Sequence, residues 1–169
     1  RTGRKVCLTE ETDWLGGQFT SQGVSAFDDH RFIEEASGTG TYYDLRHRIR
    51  ELYRTRYRLS ELGKSLKHFN PGNCYVSPLC FEPPVGVAAI DALLAPEIRA
   101  AFLEIFLRTR IFRMESTDRL ITSALAYRFD TKEVVRFKPK YVLDATEQGD
   151  LLPLAGVRYY SGAESRTQT

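Results

Sequence analysis

A carboxylate follows a short apolar strand near the start of the chain. The stretch VCLTE ends at Glu10, and the pair Gly16-Gly17 follows six residues later. In dinucleotide-binding βαβ units, a carboxylate at the end of the second strand accepts hydrogen bonds from ribose hydroxyls, and a glycine-rich phosphate turn lies about 20 residues earlier. The chain contains no G-x-G-x-x-G sequence. A strand that ends at Glu is also common without any ligand, so Glu10 alone is compatible with both interpretations.

Two further residues, His30 and Cys80, have side chains suited to catalysis. His30 follows two aspartates in the loop after the glycines and could exchange protons near neutral pH. An exposed polar turn is the alternative interpretation of that loop. Cys80 could act as a redox thiol, although a partly buried structural cysteine explains it as well. His68, Cys74 and Cys80 match no standard zinc spacing, so no metal site is predicted.

The three cysteines, Cys7, Cys74 and Cys80, form no recognisable paired framework. Reduced thiols in a cytoplasmic setting are the simplest interpretation of such a sparse set. The sequence therefore predicts a cytoplasmic protein with free thiols.

Residues 46–58 combine six arginines with interleaved tyrosines. Such a segment could bind nucleic acid through phosphate contacts and aromatic stacking. Its tyrosines and leucines fall at helical spacing, however, and more simply form a buried face. The basic face opposite is then solvated or docks on an acidic neighbouring domain. The formal net charge is only +2, which gives no broad basic surface. We therefore expect no nucleic-acid partner. Nucleic-acid binding through this helix is the alternative function.

Composition is that of an ordinary globular protein, with 42% hydrophobic and 27% charged residues in 169. No apolar run reaches the length of a membrane span, and no signal peptide opens the chain. The chain begins at Arg1, and its only methionine is Met114. We therefore expect the protein to continue before Arg1.

Local patterns predict a strand, a long loop with a helix, a second helix and then a cluster of strands. This order is typical of α/β or mixed α+β proteins. The predicted strands are Val6–Leu8, a strand from about Leu103, a hairpin formed by 120–129 and 133–138, and an apolar strand within KYVLD at 140–144. The predicted helices run from Tyr42 to about Leu59 and from Pro83-Pro84 to an interruption at Pro96, with loops at 16–41 and 60–82 and a turn at 116–119.

Two stretches carry a resemblance to a known family. LTEETDWLGGQFTSQGVSAFDDHR resembles the segment after the second strand in FAD-dependent oxidoreductases with a glutathione-reductase-like FAD-binding fold. YVLDATEQGDLLPLAG is similar to the strand and Ala-Thr turn near the adenosine end in the same class. The resemblance covers nearly the whole chain, and it lacks the glycine-rich phosphate turn and the late Gly-Asp segment of that class.

The resemblance implies FAD as the cofactor and assigns roles to individual residues. Glu10 would hold the adenosine ribose, and Gly16, Gly17 and Gln18 would line the dinucleotide. Ala145 and Thr146 would pass the adenosine end, and the backbone near Ile111 would contact the adenine. Gly16 and Gly17 lack a Cβ, which would let peptide N–H groups approach the cofactor.

The fold implied is α/β, a partial Rossmann-like FAD-binding domain with a β-meander and inserted helices. Residues 1–169 would form one incomplete FAD-binding domain, with 24–82 as a loop-and-helix insertion. The implied function is flavin-mediated hydride or electron transfer with a small organic substrate, completed by N- and C-terminal parts of the same protein. A non-catalytic flavoprotein remnant is a further alternative.

Overall fold

The computed structural model describes residues 3–162, and the chain divides into two compact units, Arg1–Leu107 and Arg108–Thr169. The chain contains both helices and strands, and the strands form one parallel and one antiparallel sheet, which confirms the predicted α/β class. The first unit contains β1 (Val6–Thr9), α1 (Gly40–Arg56), α2 (Glu61–Ser65), α3 (Pro83–Arg99) and β2 (Leu103–Phe106). The second contains β3 (Thr109–Thr117), β4 (Leu120–Arg128), β5 (Glu133–Phe137) and α4 (Leu151–Leu154).

In the first unit, β1 pairs in parallel with β2, and Val6 lies opposite Leu103. Parallel neighbours need a long connection between them, and here that connection contains the three helices of the unit. α1 packs against α3 around an apolar core. The buried core residues are Ile49, Tyr53, Phe69, Leu79, Phe81, Val85 and Ala89.

Each of the two long helices begins at residues that suit the first turn of a helix. The side chain of Thr39 accepts a hydrogen bond from the backbone N–H of Tyr42, so α1 begins two residues before the predicted start. Pro83 and Pro84 occupy the first turn of α3, where the missing N–H groups would have no helical partner. α3 continues through Pro96 to Arg99, and the predicted interruption was wrong because Pro96 falls near the end of the helix, where one lost hydrogen bond is tolerated.

In the second unit, β3, β4 and β5 form an antiparallel meander in that order. The turn between β3 and β4 consists of Asp118 and Arg119, which both have positive φ, as two-residue hairpin turns require. The predicted turn at 116–119 is confirmed at 118–119, whereas Ser116 and Thr117 belong to β3. The predicted hairpin of 120–129 and 133–138 is confirmed by the antiparallel pairing of β4 with β5. The predicted strand within KYVLD was wrong, because residues 140–144 have no regular structure and no described strand supplies hydrogen bonds to them.

The loop after β1 is fixed by close packing against α3. Gly16 has φ of +114°, and a Cβ added there would lie 2.7 Å from the Thr20 side chain and 2.9 Å from Cδ1 of Ile90. Thr20 is itself buried and donates a hydrogen bond of 2.7 Å to the carbonyl of Leu15. A short 3-10 helix, Gly17–Phe19, follows directly. Glycine at position 16 is therefore required by the protein's own packing.

We expect Gly16→Ala to destabilise the protein by about 2 kcal/mol more than Gly23→Ala does. Gly23 also has positive φ, but a Cβ there meets nothing within 4 Å, so its replacement adds only backbone strain of about 1 kcal/mol. The difference between the two variants in urea-induced unfolding isolates the steric contact with Thr20 and Ile90. Equal destabilisation by both would show that Gly16 does not serve this packing.

Candidate functional site

Glu10 lies at the carboxyl end of β1, in continuation of the parallel pair with β2. Its backbone N–H donates a 2.9 Å hydrogen bond to the carbonyl of Phe106. Its Oε1 accepts a 2.7 Å bond from the backbone N–H of Thr12. Ligands of open α/β sheets bind beyond the carboxyl ends of the strands, which is the edge where this carboxylate lies.

The hydrogen-bond acceptor chemistry of the Glu10 side chain fits a ribose. The side chain is partly exposed, and among the described residues Oε2 has no hydrogen-bond partner, so it is available to accept from a hydroxyl. A carboxylate with one oxygen fixed by the backbone is held in one orientation without losing its capacity as an acceptor. Glu10 therefore has the position and the chemistry that the predicted role needs.

Gly16, Gly17 and Gln18 follow Glu10 in the same unit. The missing Cβ at Gly16 accommodates Thr20 and Ile90, so the space expected for a cofactor is partly filled by the protein. Gln18 lies in the 3-10 helix with an exposed side chain, and its carbonyl accepts a 2.9 Å hydrogen bond from the N–H of Val24. Within residues 3–162 the side-chain amide of exposed Gln18 has no hydrogen-bond partner and is available to a ligand, whereas Gly16 has a packing role.

Ile111, Ala145 and Thr146 belong to the second unit. Ile111 lies in β3 opposite Ala126. A register shift follows immediately, between Ile111 and Arg113. β3 is an edge strand of the described meander, and edge strands have backbone groups that can pair with something outside the sheet. This position is compatible with the backbone contact expected near Ile111.

Asp144, which the sequence interpretation did not identify, organises the turn around Ala145 and Thr146. Its Oδ1 accepts bonds from the backbone N–H and the hydroxyl of Thr146, at 3.0 and 2.7 Å. Its Oδ2 accepts a 3.0 Å bond from the N–H of Leu151 at the start of α4. Burial raises the pKa of Asp144, but these hydrogen bonds outweigh it and lower the pKa below its ordinary value. The sequence signal that could have identified Asp144 is its position directly before Ala145-Thr146.

The two weak catalytic candidates lie in different surroundings. His30 is exposed, and its Nδ1 accepts a 3.1 Å hydrogen bond from the backbone N–H of Phe32, as in a polar turn. Cys80 is buried and forms a disulfide with Cys74, with the Cα atoms 6.0 Å apart. The expectation of reduced thiols was therefore wrong for this pair, because the NPGNC turn returns the chain and brings the two cysteines together. Cys7 is free and exposed.

The arginine-rich face of α1 is only partly exposed to solvent. The side chains of Arg46 and Arg50 are 1% and 5% exposed. Arg46 pairs with Asp29 at 2.5 Å and also with Glu34, which Arg50 contacts as well. The prediction of a solvated basic face was wrong for these two residues, because acidic side chains of the 29–34 loop fold back onto the helix. Both are consequently occupied and cannot bind nucleic-acid phosphates.

This ion cluster, which consists of Asp29, Glu34, Arg46 and Arg50, also affects protonation. Burial raises the pKa of Glu34, but hydrogen bonds and charges of Arg50 and Arg46 outweigh it and hold the pKa below 4.5, its ordinary value. Burial together with the hydrogen bond to Asp29 raises the pKa of Tyr42 to about 12. Arg50 extends the cluster by donating a 3.0 Å bond to the carbonyl of Phe69. The cluster thus ties two segments, the 29–34 loop and the backbone at Phe69, to α1.

The sequence model of the FAD-dependent oxidoreductases matches residues 1–169, the whole chain. The chain therefore belongs to the FAD-dependent oxidoreductase family, whose cofactor is FAD. Searches of the curated proteins and of the solved structures each found no significant match. Among residues 3–162, no helix combines the length and apolar character that crossing a membrane requires.

We expect Glu34→Gln to lower the free energy of unfolding by about 3 kcal/mol near neutral pH, because two buried guanidinium groups lose their shared carboxylate. The pH dependence should change as well. The folded pKa of Glu34 is below the ordinary 4.5, so its stabilisation is complete above pH 4.5 and disappears as the pH falls through the folded pKa. Stability of the wild-type protein should thus fall more steeply in acid than that of the variant.

Glu35→Gln is the matched control, because Glu35 is the adjacent, exposed carboxylate. Urea unfolding of all three proteins across the acid range measures both quantities. A Glu34→Gln variant as stable as Glu35→Gln, with the same acid slope as wild type, would show that the carboxylate of Glu34 contributes nothing to the fold.

Proposed function

We propose that the chain contributes to an FAD-dependent oxidoreductase that transfers a hydride or electrons between FAD and a small organic substrate. The observation that carries the proposal is Glu10, a carboxylate with a free acceptor oxygen at the carboxyl end of a parallel strand. Family membership supplies the cofactor, and this position supplies a chemically suitable contact to its adenosine ribose.

Bound FAD would supply the redox chemistry through its isoalloxazine ring. The residues of this chain would bind and orient the cofactor. Glu10 would accept hydrogen bonds from the ribose hydroxyls, and Gly17 and Gln18 would offer backbone and amide groups beside it. Gly16 would act indirectly, since its packing on Thr20 and Ile90 fixes the loop that carries Gln18.

In the second unit, Asp144 would hold the Ala145-Thr146 turn in a defined shape. The hydroxyl of Thr146 already donates to Asp144 and accepts from the N–H of Asp150, so the contact we propose there uses backbone groups rather than this side chain. The edge of β3 near Ile111 would offer further backbone groups to the adenine. These contacts position a cofactor and do not by themselves move a proton.

Other segments of the same protein would complete the FAD-binding domain, in which residues 24–82 would form an insertion, and the substrate would be a small organic molecule. The cytoplasmic location is a prediction as well, and its argument from reduced thiols no longer applies to Cys74 and Cys80. Arg46 and Arg50 are paired with carboxylates, so we do not propose nucleic-acid binding by this helix.

We expect the full-length protein to be yellow as purified, with the absorbance bands of a bound flavin. Glu10→Gln should weaken FAD retention by about tenfold, because an amide accepts less strongly from ribose hydroxyls than a carboxylate does. FAD released on serial dilution, followed by flavin fluorescence, measures the change. Glu11→Gln, which removes the neighbouring exposed carboxylate, should retain FAD as well as wild type does. A colourless protein that takes up no added FAD would contradict the proposal.

A further inference from the structure

The disulfide between Cys74 and Cys80 closes a short surface loop of the first unit, residues 74–80, which we call the disulfide loop. Tyr75 and Val76 at the tip of this loop are 99% and 61% exposed, so apolar packing does not hold the tip. The shape of the tip therefore depends on the covalent bond and on hydrogen bonds.

Asn70 holds the disulfide loop through hydrogen bonds to three of its residues. Its Nδ2 donates 3.0 Å bonds to the carbonyls of Cys74 and Ser77. Its Oδ1 accepts a 2.7 Å bond from the backbone N–H of Cys80. These bonds join backbone groups and can form whether or not the two sulfur atoms are linked. A reductant would thus remove one constraint and leave another that keeps the cysteines near each other for reoxidation.

The two cysteines differ in their accessibility to an external thiol. Cys74 is half-buried between exposed neighbours, whereas Cys80 is only 6% exposed. Sγ of Cys74 is therefore the sulfur that an attacking thiolate reaches. The carbonyl of Ser77 lies 3.6 Å from Sγ of Cys74 and 4.0 Å from Sγ of Cys80. Each thiol formed on reduction consequently has a hydrogen-bond acceptor in place.

Cys80 also connects the disulfide loop to the loop that follows β1. It forms an antiparallel β-bridge with Ala26, and the N–H of Phe81 donates a 3.1 Å bond to the carbonyl of Ser25. The hydroxyl of Ser25 in turn donates a 3.1 Å bond to the carbonyl of Phe19. The rings of Phe19 and Phe81 pack edge to face, with their centroids 6.0 Å apart. One end of the disulfide is thus packed directly against the loop after β1.

This packing reaches a residue that we assign to the cofactor. Gln18 precedes Phe19 in the 3-10 helix, and its carbonyl accepts a 2.9 Å bond from the N–H of Val24. Backbone hydrogen bonds and ring contacts therefore form a continuous path from Cys80 to Gln18. Such a path transmits a change at one end only if the segment between them has two arrangements, which an experiment can measure.

We propose that the Cys74–Cys80 disulfide is a reversible redox site, and that its reduction by a dithiol loosens the loop after β1 and weakens FAD binding. The effect on FAD rests on the proposed function, whereas the loosening of the loop does not. No contact between either sulfur atom and the flavin is required.

The chemical step is thiol–disulfide exchange with the external dithiol. One thiolate of the dithiol attacks Sγ of Cys74, the bond to Cys80 breaks, and the sulfur of Cys80 leaves as a thiolate that takes up a proton. The second thiolate of the dithiol then attacks the mixed disulfide and releases Cys74, which is protonated as well. Two electrons and two protons thus pass to the cysteines, and the dithiol becomes a disulfide.

Dithiothreitol, added to the full-length protein without denaturant, tests the inference. Alkylation and peptide mapping should find Cys74 and Cys80 modified only after this treatment. Hydrogen exchange at the N–H groups of Phe81 and Val24, which are hydrogen-bonded in the oxidised protein, should become about tenfold faster. FAD release on serial dilution, after removal of the reductant without air, should show a Kd about fivefold higher.

Two serine variants separate the disulfide from other thiols. Cys74→Ser removes the disulfide, so it should exchange as fast as the reduced protein before any treatment and show no further change with dithiothreitol. Cys7→Ser is the matched control, because Cys7 is free and exposed, and it should respond to dithiothreitol as wild type does.

A disulfide that dithiothreitol leaves intact, or reduction without faster exchange at Phe81 and Val24, would overturn the inference. Faster exchange with an unchanged Kd for FAD would contradict the coupling to the cofactor. An oxidised protein that retains no FAD would instead contradict the proposed function, and the exchange rates would then decide the redox site by themselves.

Discussion

The buried ion cluster of Asp29, Glu34, Arg46 and Arg50 is the interaction on which the first unit depends. The loop that follows β1 packs Phe19 and Phe27 against the core but also carries Asp29 and Glu34, and α1 has an arginine on most of its turns. The hydrophobic effect alone would leave these charges buried without compensation. Pairing of two nearly inaccessible guanidinium groups with two carboxylates allows loop and helix to pack together, and it brings the Phe69 segment against the same helix. Such clusters are tolerated only when each charge has a partner.

The cluster also explains how α1 contributes both to the apolar core and to the buried ion pairs. Its inner face contributes Ile49 and Tyr53 to the apolar core, where α3 supplies the opposing side chains. Its arginines lie beside this face, and their partners come from a loop of the same unit. Within the cluster two guanidinium groups meet two carboxylates, so the charges that α1 brings to this face are compensated inside the first unit.

Most of the regular structure could be predicted from local sequence. β1, α3 and the meander were identified because alternation, Pro-Pro at a helix start and turn residues act over a few positions. The strand within KYVLD failed for a non-local reason, since an apolar run becomes a strand only beside a partner strand. The disulfide between Cys74 and Cys80 and the burial of Arg46 were not predicted, for a similar reason. Both depend on where a loop returns, and local periodicity contains no information about that path.

The candidate cofactor residues show the same difference between features set by local sequence and features set by non-local packing. The position of Glu10 at the end of β1 could be predicted from residue type and strand pattern, while its role at a ribose stays a prediction. Gly16 was assigned to a ligand, whereas its conformation and the proximity of Thr20 and Ile90 give it a packing role. Asp144 was missed because its hydrogen bonds to Thr146 and Leu151 are apparent only once the turn is folded. Sequence patterns identify chemistry at element ends more readily than the side chains that support it.

We expect the ion cluster to act as a cooperative unit. A double-mutant cycle with Arg46→Met, Glu34→Gln and the combined variant measures it directly, from the free energies of unfolding in urea. We expect a coupling energy of about 2 kcal/mol, because loss of either partner leaves the other charge buried without compensation. Effects that add to within about 0.5 kcal/mol would contradict the claim, since independent residues show no such coupling.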